Sequence, residues 1–259
     1  MTSGAYREAK TVYEDSIYQN GADEKPILQS AAATLPATGN LYGGPLTEID
    51  YRDLAARWID REHADKAMLS RVPDYEGREL LGQRKIDCAG IFIPYFLPGD
   101  GNQRSHRIRR DHPEMESGKP KGKYMCYPGE RLKLYFPVGT SAAALADTAL
   151  PLIVTEGEFK TIALGRLATY NATAARFLAV SIPGVWAWRG TIGKLTDAKG
   201  GRVDEKGPIP DLARIAWTGR RVVIAFDADA GSNPSVGAAR WALSRELRSR
   251  GAEVGTLEW

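Results

Sequence analysis

RVVIAFDAD, residues 221–229, is an apolar run that stops on two aspartates one residue apart. Its β-branched residues favour a strand, and the unbroken apolar character is that of a strand buried on both faces. Working outward, PLIVT (151–155) has the same character and runs into Glu156-Gly157-Glu158. A helix is expected over Phe159–Tyr170 and a strand over Phe177–Ile182. Downstream, Ser235–Gly251 reads as a helix ending on glycine, and Glu253–Leu257 starts a last strand. Strand–helix alternation with continuous apolar strands predicts an α/β fold, a mostly parallel sheet with helices on both faces, over residues 145–259. Residues 183–219 interrupt the alternation as an insertion. Its Trp186 and Trp188 read as packing residues, while Lys194, Lys199 and Arg202 flank a glycine-rich turn.

Sheets of this kind carry their functional groups just beyond the carboxyl ends of the strands. Residues i and i+2 of an extended segment face the same way, so Asp227 and Asp229 present two carboxylates to one spot. Gly157 lets the chain turn sharply off its strand and leaves Glu156 at the same edge. One acid at a strand end is commonplace, but two acid-ended strands about seventy residues apart in one sheet are a poor coincidence. Three carboxylates within about 4 Å repel by roughly 4 kcal/mol per pair at a surface-like dielectric. A cation or a shared proton relieves this. All-oxygen ligation with no nearby His or Cys favours Mg²⁺ or Mn²⁺ over zinc. Glu156, Asp227 and Asp229 are therefore the candidate metal-binding carboxylates, with Glu158 a further candidate ligand.

Upstream the pattern is different. Residues 1–45 read as a flexible N-terminal extension rich in Ala, Thr, Gly and Pro over 31–45. Residues 46–140 read as a small α+β subdomain with antiparallel strands. Thr47 and Asp50 are spaced as a helix cap. A second short helix is expected through Ala64–Leu69 and a turn around Pro73–Gly77. Strands are expected at Gly90–Phe96, Ser105–Arg109 and Lys133–Phe136, with a turn at 98–101. Trp58, Phe92 and Trp241 read as core or helix-face residues.

The formal net charge is only +3, yet residues 101–140 hold nine Lys/Arg against four acids, leaving the rest of the chain slightly acidic. Arg107, Arg109, Arg110, Lys119, Lys121, Lys123 and Tyr124 fit a groove for single-stranded nucleic acid, charge following phosphates and the ring stacking on a base. A solvated charged loop is the plain alternative. Two isolated cysteines and three scattered histidines build neither a disulfide framework nor a zinc site. The N-terminus lacks an apolar signal region and no run approaches 18 apolar residues, so a cytoplasmic protein with no membrane partner is expected.

The segment VTEGEFKTIALGRLA, followed by VVIAFDADAGSNPSVGAARWALSRELRSRGAEV, resembles the toprim domain of bacterial-type primases, topoisomerases and related nucleases. GIFIPYFLPGDGNQRSHRIRR and GKPKGKYMCYPGERLKLYF are similar to the strand pair and basic Lys-Tyr segment that precede toprim in the primase polymerase domain. The resemblance spans about residues 86–259 and is strongest to phage- and plasmid-borne primases. It implies a Rossmann-like toprim fold and a magnesium-dependent nucleotidyltransferase making RNA primers on single-stranded DNA from nucleoside triphosphates. It also implies a role in mobile-element DNA replication and a replicative helicase on another domain or chain. Glu156 would be the general acid/base or a metal ligand, and Asp227 and Asp229 would hold the divalent ions. Primases commonly carry an acid four residues after the first Glu, where this chain has Lys160; either Glu158 supplies that charge or Lys160 binds a phosphate. The sequence stops around the last toprim strand, as expected of a fragment or of an activity needing a partner. A toprim-type nuclease and a non-catalytic single-strand-binding module stay open as alternatives.

Overall fold

Thr47 and Asp50 cap helix α1 (Glu48–Ala55) reciprocally. The Asp50 amide donates to the Thr47 hydroxyl at 3.2 Å, and the Thr47 amide donates to the Asp50 carboxylate at 2.8 Å. Two of the N–H groups that a helix start leaves over are thereby satisfied. The same carboxylate takes the Arg71 guanidinium from strand β1 (Ser70–Val72), tying the helix to the first sheet. Burial alone would raise the Asp50 pKa, but the bonds from Arg71 and Thr47 outweigh it and hold it low. Helix α2 (Arg61–Lys66) starts on Asp60, whose side chain accepts from the His63 amide. The computed structural model describes residues 42–227 and 233–257, so most of the expected N-terminal extension lies outside the described residues.

Where a turn was expected at Pro73–Gly77, the chain forms helix α3 (Asp74–Leu81). Pro73 sits at its N-cap, where its missing N–H costs nothing, and Gly82 ends it in the left-handed conformation. Gly77 has a packing role instead, because a Cβ there would lie 2.1 Å from the Cys88 carbonyl oxygen. Strands β2 (Gly90–Phe96) and β3 (Gln103–Arg110) pair antiparallel. A two-residue hairpin, β4 (Met115–Glu116) and β5 (Lys119–Pro120), precedes β6 (Tyr124–Met125), and the first sheet runs β1-β2-β3-β6. The strand expected at Lys133–Phe136 reduces to one bridge. Tyr135 exchanges backbone hydrogen bonds with Ser181 at 2.9 and 3.1 Å. Leu134 is taken by side chains instead, its amide by Asp211 and its carbonyl by Arg104, so the ladder cannot extend.

After helix α4 (Ala142–Ala146) come β7 (Leu152–Glu156), helix α5 (Glu158–Thr169) and β8 (Leu178–Ile182). The insertion contains the hairpin β9 (Arg189–Thr196) and β10 (Arg202–Pro208), then a 3₁₀ turn at Pro210–Arg214. Strand β11 (Arg221–Ala225), helix α6 (Pro234–Ser249) and β12 (Glu253–Thr256) complete the described chain. The second sheet is wholly parallel, in the order β12-β11-β7-β8. From β7 the chain crosses through α5 to β8 on one side; from β11 it crosses through α6 to β12 on the other. Right-handed crossovers in opposite directions put the two helices on opposite faces. The core agrees. Leu243 and Leu247 of α6 cluster with Leu152, Val154, Val222 and Ile224, whereas Phe159 and Ile162 of α5 cluster with Ile91, Ile93 and Tyr95 of the first sheet.

The insertion contributes to the first of these clusters through Trp188, Ile209, Leu212, Ile215 and Trp217, while Trp186 is exposed. Phe92 is buried as expected. Trp58 and Trp241 are surface residues: Arg166 lies over the Trp58 ring and Arg245 over Trp241, each at 4.7 Å. Among the described residues no helix is long and apolar enough to cross a membrane.

Candidate active site at the edge of the parallel sheet

The strand order reverses between β7 and β11, with β8 added on one side and β12 on the other, and this creates a crevice at their carboxyl ends, the place where ligands bind in open α/β sheets. Glu156 is the last residue of β7, and Asp227 follows β11 by two residues. The Thr155 hydroxyl donates to the Ala225 carbonyl at 2.7 Å and ties the two strand ends together. Gly157 has φ +86, which favours glycine, and it swings the chain from strand into α5. Glu156 is half-buried and Asp227 is exposed at the rim. Asp229, the third expected carboxylate, lies outside the described residues.

The first turn of α5 sends its two charged residues in different directions. Lys160 reaches out to Asp227, and the two form an ion pair across the crevice. Glu158 turns inward and is 1% exposed. Its carboxylate accepts from the Tyr95 hydroxyl on β2 and from the Arg107 guanidinium on β3, the latter at 2.8 Å. Burial works against the Arg107 charge, but the Glu158 carboxylate outweighs it and raises the guanidinium's pKa. Burial and then the same carboxylate push the hydroxyls of Tyr95 and Tyr135 upward, so both stay protonated. Glu158, expected as a metal ligand, is thus placed in a buried ion pair. Among the described residues no group of three or more His, Cys, Asp or Glu is placed to hold a metal.

Glu156, Asp227 and Lys160 open into a cleft of about 420 Å³ that Arg57, Arg107, Lys123 and Tyr124 also line. Three members of the basic stretch therefore meet the carboxylate edge. The others go elsewhere. Arg109 lies over the Phe159 ring at 5.6 Å and lines an adjoining cavity of about 550 Å³. Arg110 is fully buried, held by both Glu114 oxygens at 2.8 and 2.9 Å and by the Asp87 carbonyl. Lys119 and Lys121 sit on the exposed β4–β5 hairpin, Lys121 paired with Glu116 at 2.9 Å. Arg57 was not expected. It follows α1 in sequence with no motif around it, and only the fold brings it to the cleft.

Burial, then the charges of Arg109 and Arg57, lower the Lys123 pKa. These three cations repel one another, an arrangement that an anion stabilises. Facing them, the donors at the sheet edge are carboxylate oxygens beside an open cleft. That set fits a hard divalent ion such as Mg²⁺ or Mn²⁺, which keeps several waters and uses few protein ligands. Carboxylates and cations lining one cleft suit a phosphate-bearing substrate.

A family described as a domain of unknown function (DUF3854) matches residues 142–259. No curated protein matches the chain. Among solved structures, the Aquifex aeolicus primase, comprising zinc-binding and RNA polymerase domains, is similar with a TM-score of 0.50 and 16% identity. The match covers 82% of this chain and 50% of that one, so the chain spans half the length of the primase structure it resembles. At this identity the likeness is one of fold: the described chain has a primase-like fold.

Proposed function

We propose that this chain is a primase-like nucleotidyltransferase core of the toprim type, joining ribonucleotides on single-stranded DNA with Mg²⁺ or Mn²⁺. The observation that carries the reading is the shared cleft, in which Glu156 and Asp227 at the sheet edge face Arg57, Arg107, Lys123 and Tyr124. Asp227 and Asp229 hold the divalent ion, and Glu156 acts as general acid/base or as a further ligand. When bound, the ion neutralises charge on the triphosphate and on the oxygens that attack and leave. Arg107 and Lys123 hold phosphates, with Arg57 beside them, and Tyr124 offers its ring to a base. Positioning and charge account for most of such catalysis, so preset cations matter more than a nucleophile.

Incubation with single-stranded DNA, Mg²⁺ or Mn²⁺ and labelled nucleoside triphosphates tests this. Template-dependent oligonucleotides that disappear in Asp227→Asn are expected. Degradation of the DNA instead would make the site a nuclease. A second reading, a non-catalytic single-strand-binding module, draws on the Lys160–Asp227 pair, which already supplies Asp227 with a cation. It predicts DNA binding without product, unchanged in Asp227→Asn.

A further inference from the structure

Resting on the reading of the cleft as a phosphate site, we infer that Glu158 is a positioning residue that fixes the Arg107 guanidinium, and through it Tyr124, for the ligand. One carboxylate oxygen, Oε1, accepts from both the Tyr95 hydroxyl and the Arg107 Nη1. Tyr95 is buried in the cluster of the first sheet, so its hydroxyl is a fixed point that sets where the carboxylate stands. At the other end of the guanidinium, Nη2 donates to the Tyr124 carbonyl at 3.2 Å, and the group lies over the Tyr124 ring at 5.5 Å. A planar fork held at both ends cannot swing. Its remaining N–H donors are left for a ligand in the cleft, which Arg107 and Tyr124 both line.

Stability alone does not account for the arrangement. Exchanging a buried ion pair for apolar residues is often neutral or stabilising, so burial of the pair is weak evidence that the fold needs it. Its place is more telling. Glu158 opens α5 directly after Glu156 and Gly157, while Arg107 belongs to β3 and Tyr124 to β6. The contacts therefore tie the start of the helix leaving the carboxylate edge to both strands of the basic segment. An arginine ordered before its ligand arrives spares the cost of ordering it on binding.

The salt dependence of binding a fluorescent oligothymidylate to the full chain, without metal or nucleotide, tests this. Arg107→Met should flatten the plot of log binding constant against log salt by about 0.7, the loss of one phosphate contact. Glu158→Asp keeps the charge but draws the carboxylate back by about 1.5 Å, one C–C bond, and should flatten the plot by a similar amount. Tyr95→Phe removes only the hydroxyl that holds the carboxylate and should weaken binding about threefold. Circular dichroism checks that each variant is folded. A chain that is only less stable supplies less binding protein and leaves the slope unchanged. Wild-type slope in folded Glu158→Asp, or wild-type affinity in folded Tyr95→Phe, overturns the inference. If Arg107→Met flattens the plot and Glu158→Asp does not, the phosphate site stands and the inference alone falls. A wild-type slope in Arg107→Met, or no binding by the wild type, removes both.

Discussion

Glu158 and Lys160 lie two residues apart, and a step of two in an α-helix turns the direction of a side chain by about 200°. That rotation separates an inward carboxylate from an outward ammonium, although both belong to one short acidic-basic motif in the sequence. The sequence sets Glu158 two residues after Glu156, and its charge is expected with Glu156 at the metal edge. The helix starts at Glu158, so the extended alternation ends at Gly157. The two positions should therefore respond differently to mutation. Glu158→Gln leaves the Arg107 guanidinium buried without its counter-charge, and loss of one member of a buried pair costs about 3–5 kcal/mol. Lys160→Met touches only an exposed pair and should change stability by less than about 0.5 kcal/mol. Urea unfolding of the two variants decides it. Equal losses would mean that Glu158 does not depend on its burial beside Arg107.

The basic segment shows what one element does to a run of charges. Alternation along β3 sends Ile108 and Arg110 to a buried face, so Arg110 becomes a structural residue that pins the loop below it through Glu114. The hydrogen bond from Arg110, followed by a backbone hydrogen bond at Glu114 itself and then by the Arg110 charge, lowers the Glu114 pKa from 4.5 to about 2. A carboxylate with a depressed pKa stabilises the fold fully above its ordinary value and loses that contribution as pH falls through the folded value. Wild type and Glu114→Gln should thus differ in melting temperature near neutrality and converge as pH falls from about 4.5 to about 2. A gap that persists at pH 2 would assign the loop's order to something other than this pair. The hairpin separates two lysines in the same way. Lys123 lines the cleft, whereas Lys121 is paired with Glu116 on the exposed β4–β5 turn. Lys123→Ala should flatten the plot of log binding constant for single-stranded DNA against log salt by about 0.7, with Lys121→Ala leaving it nearly unchanged. Identical slopes for both would place the DNA on the hairpin. The sequence shows the clustering of charge, but face and loop position, which divide the cluster, arise only on folding. Strand β2 and the parallel strands β7, β8 and β11 were legible because their apolar runs are continuous and bounded. Helix α3 was not, because Pro73 and Gly77 read as turn signals while serving as a cap and a close contact.

At the scale of the molecule, the boundary expected at 140–145 separates two sheets whose cores interlock. Leu134 and Phe136, from before the boundary, are buried in the cluster around β7 and β11. Phe159 and Ile162, from after it, are buried with Ile91, Ile93 and Tyr95. The buried Glu158–Arg107 pair crosses the same boundary. Strand-end carboxylates and a basic segment could be named from the sequence, but their meeting in one cleft depends on this interlocking, which no local pattern encodes. Full burial of a Leu or Phe side chain is worth roughly 1.5–3 kcal/mol. Separating the sheets exposes or removes at least four such residues, a loss of the same order as the whole stability of a domain, about 5–15 kcal/mol. The full chain should therefore unfold in one transition seen alike by far-ultraviolet and near-ultraviolet circular dichroism. A fragment of residues 142–257, close to the span of the matched family, should lack fixed tertiary packing, bind a hydrophobic dye and melt without a sharp transition. If that fragment unfolds cooperatively near the full chain's melting temperature, the parallel sheet is an independent domain and the cleft is an interface that can open.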